Sequence, residues 1–487
     1  MDLPLAGYSF DGKLGSRVAG RLFAHALYLE DATGAAAAWV ICDLHSASRY
    51  LHEKVAAATA SIGIGVGQLM LSGTHTHTGP GNYYGNSLYD FLAQPHPGFN
   101  RTLADLLASR IARAVRLAKD ASGQADVGWG LVRLWGVSRN RSQAAFERNA
   151  EASNWSHSAV GGGAPPGLDL DQIFIDPRVR VLTAVARPSG RPLAVFATFG
   201  CHATSMGPTL AAYSPDWPGV AVREVSAQLQ QPGVAAPVVA VGLSGAGDVT
   251  PLPPTGEQGA VLADDVGQAV ARAIVTVVPE AVAVARPFHV DTRWHELHVR
   301  ERYVPGFKAT TLLAQQWAFG ASVLAGAEDA RTEYYRIGLV REGMTGNDFA
   351  TSSPQYPKAR ALGPLQPFLR GAGNFSPSPA LPLHAFRVGD TWLVTVPGEP
   401  TTVAAHRIEL AVRAATGDHC VVVGYSGDYS GYFTTEQEYR AQHYEGASTL
   451  WGRHSTEHIR RQYERLLGPG GTSTPVARSK VAFNTIP

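Results

Sequence analysis

One segment decides the fold class: Gln68-Leu69-Met70-Leu71-Ser72-Gly73-Thr74-His75-Thr76-His77-Thr78-Gly79-Pro80. Its first part, residues 68–72, is a short apolar run that predicts a buried β-strand. A Thr-His-Thr-His loop follows directly at the carboxyl end of that strand. Because α/β proteins usually bind ligands at the carboxyl ends of their strands, the segment indicates an α/β fold with a site at this edge.

The same arrangement recurs further along the chain. Strands are predicted over 193–200, 237–243, 392–396 and 421–425, and they are followed by His202, by Thr250, by Glu399, and by Tyr429 and Tyr432. Because all these polar side chains follow strand ends, we expect them to share one site, in a single α/β catalytic domain over residues 1–487. We expect a mixed β-sheet core flanked by helices, with a metal cleft at the strand ends.

Other elements follow from hydrophobic periodicity. A further strand is predicted over 36–44, and helices over 50–60, 103–118 and 401–413. In the helix over 103–118 the predicted apolar stripe comprises Leu103, Leu106, Leu107, Ile111 and Val115.

Two stretches read as insertions. Residues 150–169 are rich in Gly, Ser and Pro, and residues 307–382 mix helix signals with a long polar loop. Long loops in compact domains are usually functional or mobile, so we predict that both form walls of a substrate pocket. Ordinary surface excursions are the alternative. Residues 475–484 predict one final strand against the main body.

The side chains at the predicted strand ends have a common chemistry. Two imidazoles, a carboxylate and a phenol are nitrogen and oxygen donors of the kind that bind first-row metals, and zinc is their natural occupant. The hydroxyl of Thr250, in Gly247-Asp248-Val249-Thr250-Pro251, lies between them in the sequence. Asp248 is expected to hold that turn. The combination indicates a zinc hydrolase.

Composition excludes other classes. The 487 residues are 45% apolar and 17% charged, as in a soluble enzyme, and the formal net charge of +1 gives no reason to expect a nucleic-acid partner. Cys42, Cys201 and Cys420 lie far apart in apolar contexts and are expected to be buried, reduced thiols. The chain opens without a signal-like leader and contains no apolar run able to span a bilayer, which predicts a cytoplasmic protein.

The motifs resemble those of the neutral (non-lysosomal) ceramidase family. The resemblance runs in one order through residues 74–81, 202–206, 247–251, 397–402 and 429–450, within a region from about Ala6 to about His454. It implies a zinc site formed by His75, His202, Glu399 and Tyr432. Tyr429 is the competing phenol.

The resemblance also implies catalytic roles. His77 would carry a proton, while Arg141 and Tyr444 would stabilise the oxyanion; Arg139 is an alternative to Arg141. Thr250 stands where the family has a nucleophilic serine. Either Thr250 performs that role more slowly, or a zinc-bound water attacks and Thr250 orients it; we favour the second.

These implications predict a zinc-dependent amidohydrolase that cleaves the N-acyl amide bond of a ceramide-like or other small, lipid-like N-acyl substrate. A zinc-dependent ester or lactone hydrolase, or an acyltransferase, is the first alternative, and a non-catalytic binding protein is the second. The chain departs from the family in lacking an export signal and a C-terminal immunoglobulin-like domain, and in carrying Thr250. We therefore expect ceramide itself to be a secondary substrate.

Overall fold

A computed structural model describes residues 2–253, 257–299, 313–363 and 375–473 of the chain. The predicted final strand over 475–484 lies outside the described residues, as do residues 307–312 and 364–374 of the second predicted insertion.

Three sheets of three or four strands dominate the described part of the chain. The N-terminal sheet contains Ala24–Glu30, Ala36–Cys42 and Leu69–Gly73. The middle sheet contains Ala125–Arg133, Arg178–Ala186, Pro192–Phe199 and Val238–Leu243, and the C-terminal sheet contains Val290–His298, Ala380–Val388, Thr391–Thr395 and His419–Val423.

Each sheet contains one parallel pair of strands whose members are joined through a helix. Arg49–Thr59 connects Ala36–Cys42 with Leu69–Gly73, and Asp216–Leu229 connects Pro192–Phe199 with Val238–Leu243. Thr402–Thr416 connects Thr391–Thr395 with His419–Val423. The remaining neighbours in the three sheets are antiparallel. The sheets are therefore mixed, as the sequence predicted.

The carboxyl ends of these parallel pairs meet. The amide of Gly424 donates to the carbonyl of Leu243 at 3.0 Å, and the amide of Gly73 donates to the carbonyl of Tyr425 at 3.1 Å. The loops that follow the parallel strands of all three sheets therefore begin close to one another.

One hydrophobic cluster lies between the sheets, because Trp39, Phe196 and Phe386 come from different sheets and share it. The outer faces of the sheets pack against helices. Arg49–Thr59 and Arg101–Asp120 accompany the N-terminal sheet, Asp216–Leu229 and Ala260–Ala283 the middle sheet, and Thr402–Thr416 and Ser455–Leu467 the C-terminal sheet.

The remaining elements are short. The short strands are Leu3–Pro4, Leu14–Gly15, Arg17–Val18, Ser138–Asn140, Ala212–Tyr213, Val249–Pro251, Glu399–Pro400 and Tyr432–Phe433. The short α-helices are Ser87–Leu92, Gln143–Phe146, Leu170–Ile173, Glu333–Arg336, Glu436–Ala441 and Tyr444–Ser448. Single 3-10 or π turns are formed by Ser9–Asp11, Ala60–Ile62, Val66–Gln68, Ala150–Asn154, Trp155–Ala159, Ala321–Ala325 and Glu328–Ala330.

The predicted strands and helices are confirmed with small shifts in their ends, and the predicted stripe of the helix Arg101–Asp120 is confirmed in part. Ile111 and Val115 are buried, and Leu103 and Leu107 are half-buried, but Leu106 is half exposed. The buried face also contains Ala104, Ala108 and Ala112, which the prediction missed. Cys42, Cys201 and Cys420 are free and buried, as predicted.

The two predicted insertions pack differently. In the first, Trp155 is buried against Phe146 with ring centroids 5.2 Å apart, and Glu151 pairs with Arg407 of the helix Thr402–Thr416 at 2.8 Å. In the second, the buried Lys358 donates to the Thr449 carbonyl at 2.8 Å, beside the candidate site. The pocket-wall role of each stays a prediction.

Across the described ranges, every helix is too short or too polar to cross a bilayer.

Candidate metal and catalytic site

His75 lies just beyond the strand Leu69–Gly73, in a loop tied to the neighbouring strand. Its amide donates to the carbonyl of Leu44 at 3.0 Å. Its φ of 59° is in the left-handed region, which residues other than glycine seldom adopt and which is most common at functional sites. The ring Nδ1 donates to the carbonyl of His45 at 2.7 Å. In the neutral ring this bond leaves Nε2 with a free lone pair.

His202 is positioned in the same way from the middle sheet. It follows Pro192–Phe199, and its Nδ1 donates to the carbonyl of Ala246 at 2.6 Å. Burial, reinforced by the Arg141 guanidinium, lowers the pKa of His202 to about 4. The ring is therefore neutral at pH 7, which is the form in which imidazole binds a metal.

Glu399 enters from the C-terminal sheet. It begins the short strand Glu399–Pro400, which runs parallel to Tyr432–Phe433 with Glu399 beside Tyr432. The two backbones approach so closely that a Cβ on Gly398 would lie 2.2 Å from the carbonyl oxygen of Gly431. Glycine at position 398 is thus required for Glu399 and Tyr432 to lie side by side.

The three side chains converge on one point. Oε2 of Glu399 lies 3.0 Å from Nε2 of His202 and 3.3 Å from Nε2 of His75. Because each Nδ1 donates to a backbone carbonyl, the neutral form of each ring directs the lone pair of Nε2 toward Oε2 of Glu399. Among the described residues, Oε2 of Glu399 receives no hydrogen bond of good geometry, although it is buried.

Buried lone pairs that face one another are unfavourable unless a cation lies between them. His75, His202 and Glu399 therefore form a group that could hold a metal ion. Two imidazole nitrogens and a carboxylate oxygen fit zinc and match the donors of known catalytic zinc sites.

The two candidate phenols have different surroundings. The hydroxyl of Tyr432 accepts a hydrogen bond from Nη2 of Arg141 at 2.9 Å, while that of Tyr429 donates to Oε1 of Glu399. Burial raises the pKa of Tyr432 well above its usual range, so only a nearby cation would favour its phenolate. Tyr429 is thus placed to orient Glu399, and the ligand role of Tyr432 stays a prediction.

His77 lies at the edge of this group. Its Nε2 is 3.1 Å from Nε2 of His75, and its ring packs edge-on against Tyr8 at 4.7 Å. Burial, with His75 next, lowers the pKa of His77 well below its usual range. The neutral imidazole lies beside the candidate metal ligands, and its role as a proton carrier stays a prediction.

Thr250 and Arg141 are brought together by the short strands Val249–Pro251 and Ser138–Asn140. The amide of Arg141 donates to the carbonyl of Asp248 at 2.8 Å. The guanidinium of Arg141 donates to the Gly247 carbonyl at 2.8 Å and to Tyr432. Arg141 therefore lies beside His202 and Tyr432, next to the Thr250 loop.

Arg139, the alternative to Arg141, points elsewhere. Its guanidinium is 3.0 Å from Glu328 and 3.8 Å from Asp171. Tyr444 lies beside the site, with its ring 5.5 Å from that of Tyr432 and 5.8 Å from the Arg141 guanidinium. Asp248 accepts from the Thr402 amide at 2.7 Å, so it anchors its loop to a helix, and its role in holding the turn stays a prediction.

Two site residues escaped the sequence analysis. His45 follows the strand Ala36–Cys42 and forms a second buried triple with His75 and His77; the strand-end rule that found His75 would have found it. Asp329, from the 3-10 turn Glu328–Ala330, contacts both Arg141 and Thr250. No local pattern marks Asp329, because it reaches the site from a distant excursion.

Comparison with known proteins gives one consistent family. The chain matches the model described as neutral/alkaline non-lysosomal ceramidase, N-terminal, over residues 1–268 and 266–461. It is 26% identical over 451 residues to neutral ceramidase B of Dictyostelium discoideum, covering 82% of this chain and 60% of that protein. It is 27% identical over 413 residues to neutral ceramidase of Mycobacterium tuberculosis, covering 77% of this chain and 59% of that protein. The chain thus spans about three fifths of the length of these relatives.

Solved structures agree in fold. A structure described as ceramidase complexed with C2 superposes with a TM-score of 0.79 at 25% identity, over 97% of this chain and 74% of the other. Neutral ceramidase from Pseudomonas aeruginosa superposes with a TM-score of 0.77 at 23% identity over the same shares.

Proposed function

Because the chain belongs to the neutral/alkaline non-lysosomal ceramidase family, we propose that it is a zinc-dependent amidohydrolase that cleaves the N-acyl amide bond of a ceramide-like or other N-acyl compound. One observation carries the proposal. Oε2 of Glu399 and Nε2 of His75 and His202 face one another in a buried group, and each imidazole donates from Nδ1 to a backbone carbonyl. A zinc ion held there would polarise the acyl carbonyl and lower the pKa of a bound water.

The protein's own side chains would supply the remaining chemistry. The acyl oxygen gains negative charge as water adds to the carbonyl carbon, and Arg141 and Tyr444, which both contact Tyr432, would stabilise that charge. His77, neutral and beside His75, would pass the proton of the attacking water to the departing nitrogen. Thr250 would orient the water through its hydroxyl.

The relatives support the substrate class. Curated relatives from Dictyostelium discoideum and Mycobacterium tuberculosis are neutral ceramidases, and ceramide is an N-acylated amino alcohol. An amide is cleaved to a carboxylate and an amine, and the proposed roles of the metal group, of Arg141 and Tyr444, and of His77 would supply what this reaction needs.

The test combines metal analysis with hydrolysis. His75→Gln and His202→Gln should each lose zinc and hydrolysis of a short N-acyl ethanolamine. His384→Gln is the matched control, because His384 is also buried but donates to the Val66 carbonyl, away from the site.

Thermal unfolding of each variant verifies that it is folded. Full zinc occupancy in both site variants would contradict the ligand assignment. Hydrolysis of the matching ester without hydrolysis of the amide would contradict the amidase assignment.

A further inference from the structure

Asp329 reaches the candidate site from the described excursion 313–363. Oδ1 of Asp329 lies 3.1 Å from Nη1 of Arg141, and Oδ2 accepts hydrogen bonds from Thr250 at 2.7 Å and from Thr204 at 3.1 Å. Only 9% of the Asp329 side chain is exposed. The carboxylate therefore binds the two groups that a substrate acyl group would approach.

The excursion that carries Asp329 is anchored beside the site. The amide of Ala318 donates to the Leu450 carbonyl at 3.2 Å, and that of Gly320 donates to the Ala447 carbonyl at 2.8 Å. On the other side of Asp329, Arg331 pairs with Glu342 at 3.1 Å. These bonds hold the carboxylate in place.

Asp329 also completes the hydrogen bonding of Arg141. The guanidinium has five N–H groups. Nε donates to Glu445, Nη2 donates to the Gly247 carbonyl and to Tyr432, and Nη1 donates to Asp329. One N–H of Nη1 is left for the acyl oxygen, and the positive charge of Arg141 is already balanced by carboxylates.

We propose that Asp329 is a specificity-determining residue that excludes carboxylate-bearing molecules from the site and reserves it for N-acyl compounds whose amine part is uncharged or cationic. The excluded class contains N-acyl amino acids and free acyl anions. This inference rests on the proposed function, and it names the substrate class of the same site.

The physical reason is repulsion between like charges in buried surroundings. Asp329 is held as an anion: burial would raise the carboxyl pKa, but Arg141, His202 and the hydrogen bonds from Thr250 and Thr204 together lower it to about 2. A second carboxylate about 5 Å from Asp329 would be disfavoured on the order of 100-fold at the effective dielectric constant of such sites. Without the Asp329 charge, Arg141 would attract such a carboxylate instead.

The same charge acts on the products. Hydrolysis of an N-acyl amide forms an acyl carboxylate, which would compete with Asp329 for Arg141 and for the Thr250 hydroxyl. Asp329 is therefore expected to weaken binding of the acyl anion and so to speed its release.

The test compares Asp329→Asn with Glu328→Gln. Glu328 is the adjacent carboxylate on the same turn, but it pairs with Arg139 at 3.0 Å outside the site. The substrates are N-decanoyl ethanolamine and N-decanoyl glycine, which differ in a hydroxymethyl or a carboxylate group. We expect Asp329→Asn to raise kcat/KM for the glycine compound relative to the ethanolamine compound at least tenfold, and Glu328→Gln to leave the ratio unchanged.

Binding of decanoate by calorimetry tests the inference without catalysis. Decanoate should bind Asp329→Asn at least tenfold more tightly than the unaltered protein. Equal affinities, or an equal shift in Glu328→Gln, would overturn the role of Asp329. If the asparagine variant does not fold, as judged by its Tm, Asp329→Ser replaces it in the same assay. Failure of the unaltered protein to cleave either amide would contradict the proposed function, while the decanoate affinities would still decide the role of Asp329.

Discussion

Replacement of Thr250 distinguishes the two roles that its hydroxyl could have. Thr250 is buried, and its Oγ1 donates to Oδ2 of Asp329 at 2.7 Å. When Thr250 becomes alanine, Asp329 keeps its bonds from Thr204 and Arg141, so no buried charge loses all its partners. The loss is one hydrogen bond to a charged group, about 1.5–3 kcal/mol, which corresponds to a decrease of about 10- to 150-fold in kcat/KM if the whole loss falls on the transition state.

A covalent role would give a much larger effect. Removal of a nucleophile costs several orders of magnitude, because the acyl intermediate can no longer form. The assay is kcat/KM for a short N-acyl ethanolamine with Thr250→Ala, and Thr250→Ser is the control that retains a hydroxyl. A loss beyond about 10,000-fold in the alanine variant, or an acyl group on Thr250 seen by mass spectrometry, would refute the orienting role.

Three further predictions concern zinc binding, stability and substrate preference. Tyr432→Phe should weaken zinc binding more than Tyr429→Phe. Removal of the Tyr429 hydroxyl, which orients Glu399, should lower zinc affinity by about 10- to 100-fold. The reverse order in a competition titration would make Tyr429 the ligand. Burial would raise the pKa of Glu342, but its bonds with His443 and Arg331 lower it to about 2. Glu342→Gln should therefore lose about 3 kcal/mol of stability at pH 7, and this difference should disappear as the pH falls from 4.5 to 2; a Tm difference that does not depend on pH would contradict this. Finally, a short N-acyl amine should have a higher kcat/KM than a long-chain ceramide, and a clear preference for the ceramide would contradict that expectation.

The sequence predicted the elements that deliver the site because the signal was local. Apolar runs such as 192–199 and 391–395 end at polar turns, and the rule that ligands bind at strand ends does not depend on sheet order. His75, His202 and Glu399 were identified in this way and by family resemblance. The sequence predicted one common site, but not that the three residues would come from three separate sheets, because apolar runs do not specify how strands are divided among sheets.

Two features of the site could not be predicted from periodicity. Asp329 lies in an irregular excursion, and its contact with Thr250 depends on how that excursion folds back over 79 residues of sequence. Likewise, the different partners of the two phenols, Glu399 for Tyr429 and Arg141 for Tyr432, depend on tertiary contacts. Both phenols lie on one short loop, so spacing alone did not separate them.

The most direct measurement of the central claim is a zinc titration of chelator-treated protein with zinc occupancy and N-acyl ethanolamine hydrolysis followed in the same samples. We predict that hydrolysis rises in proportion to occupancy and reaches its limit at one zinc per chain, and that Glu399→Gln shows neither tight binding nor hydrolysis. Full hydrolysis by the metal-free protein, or one tightly bound zinc in Glu399→Gln, would contradict a catalytic zinc held by His75, His202 and Glu399.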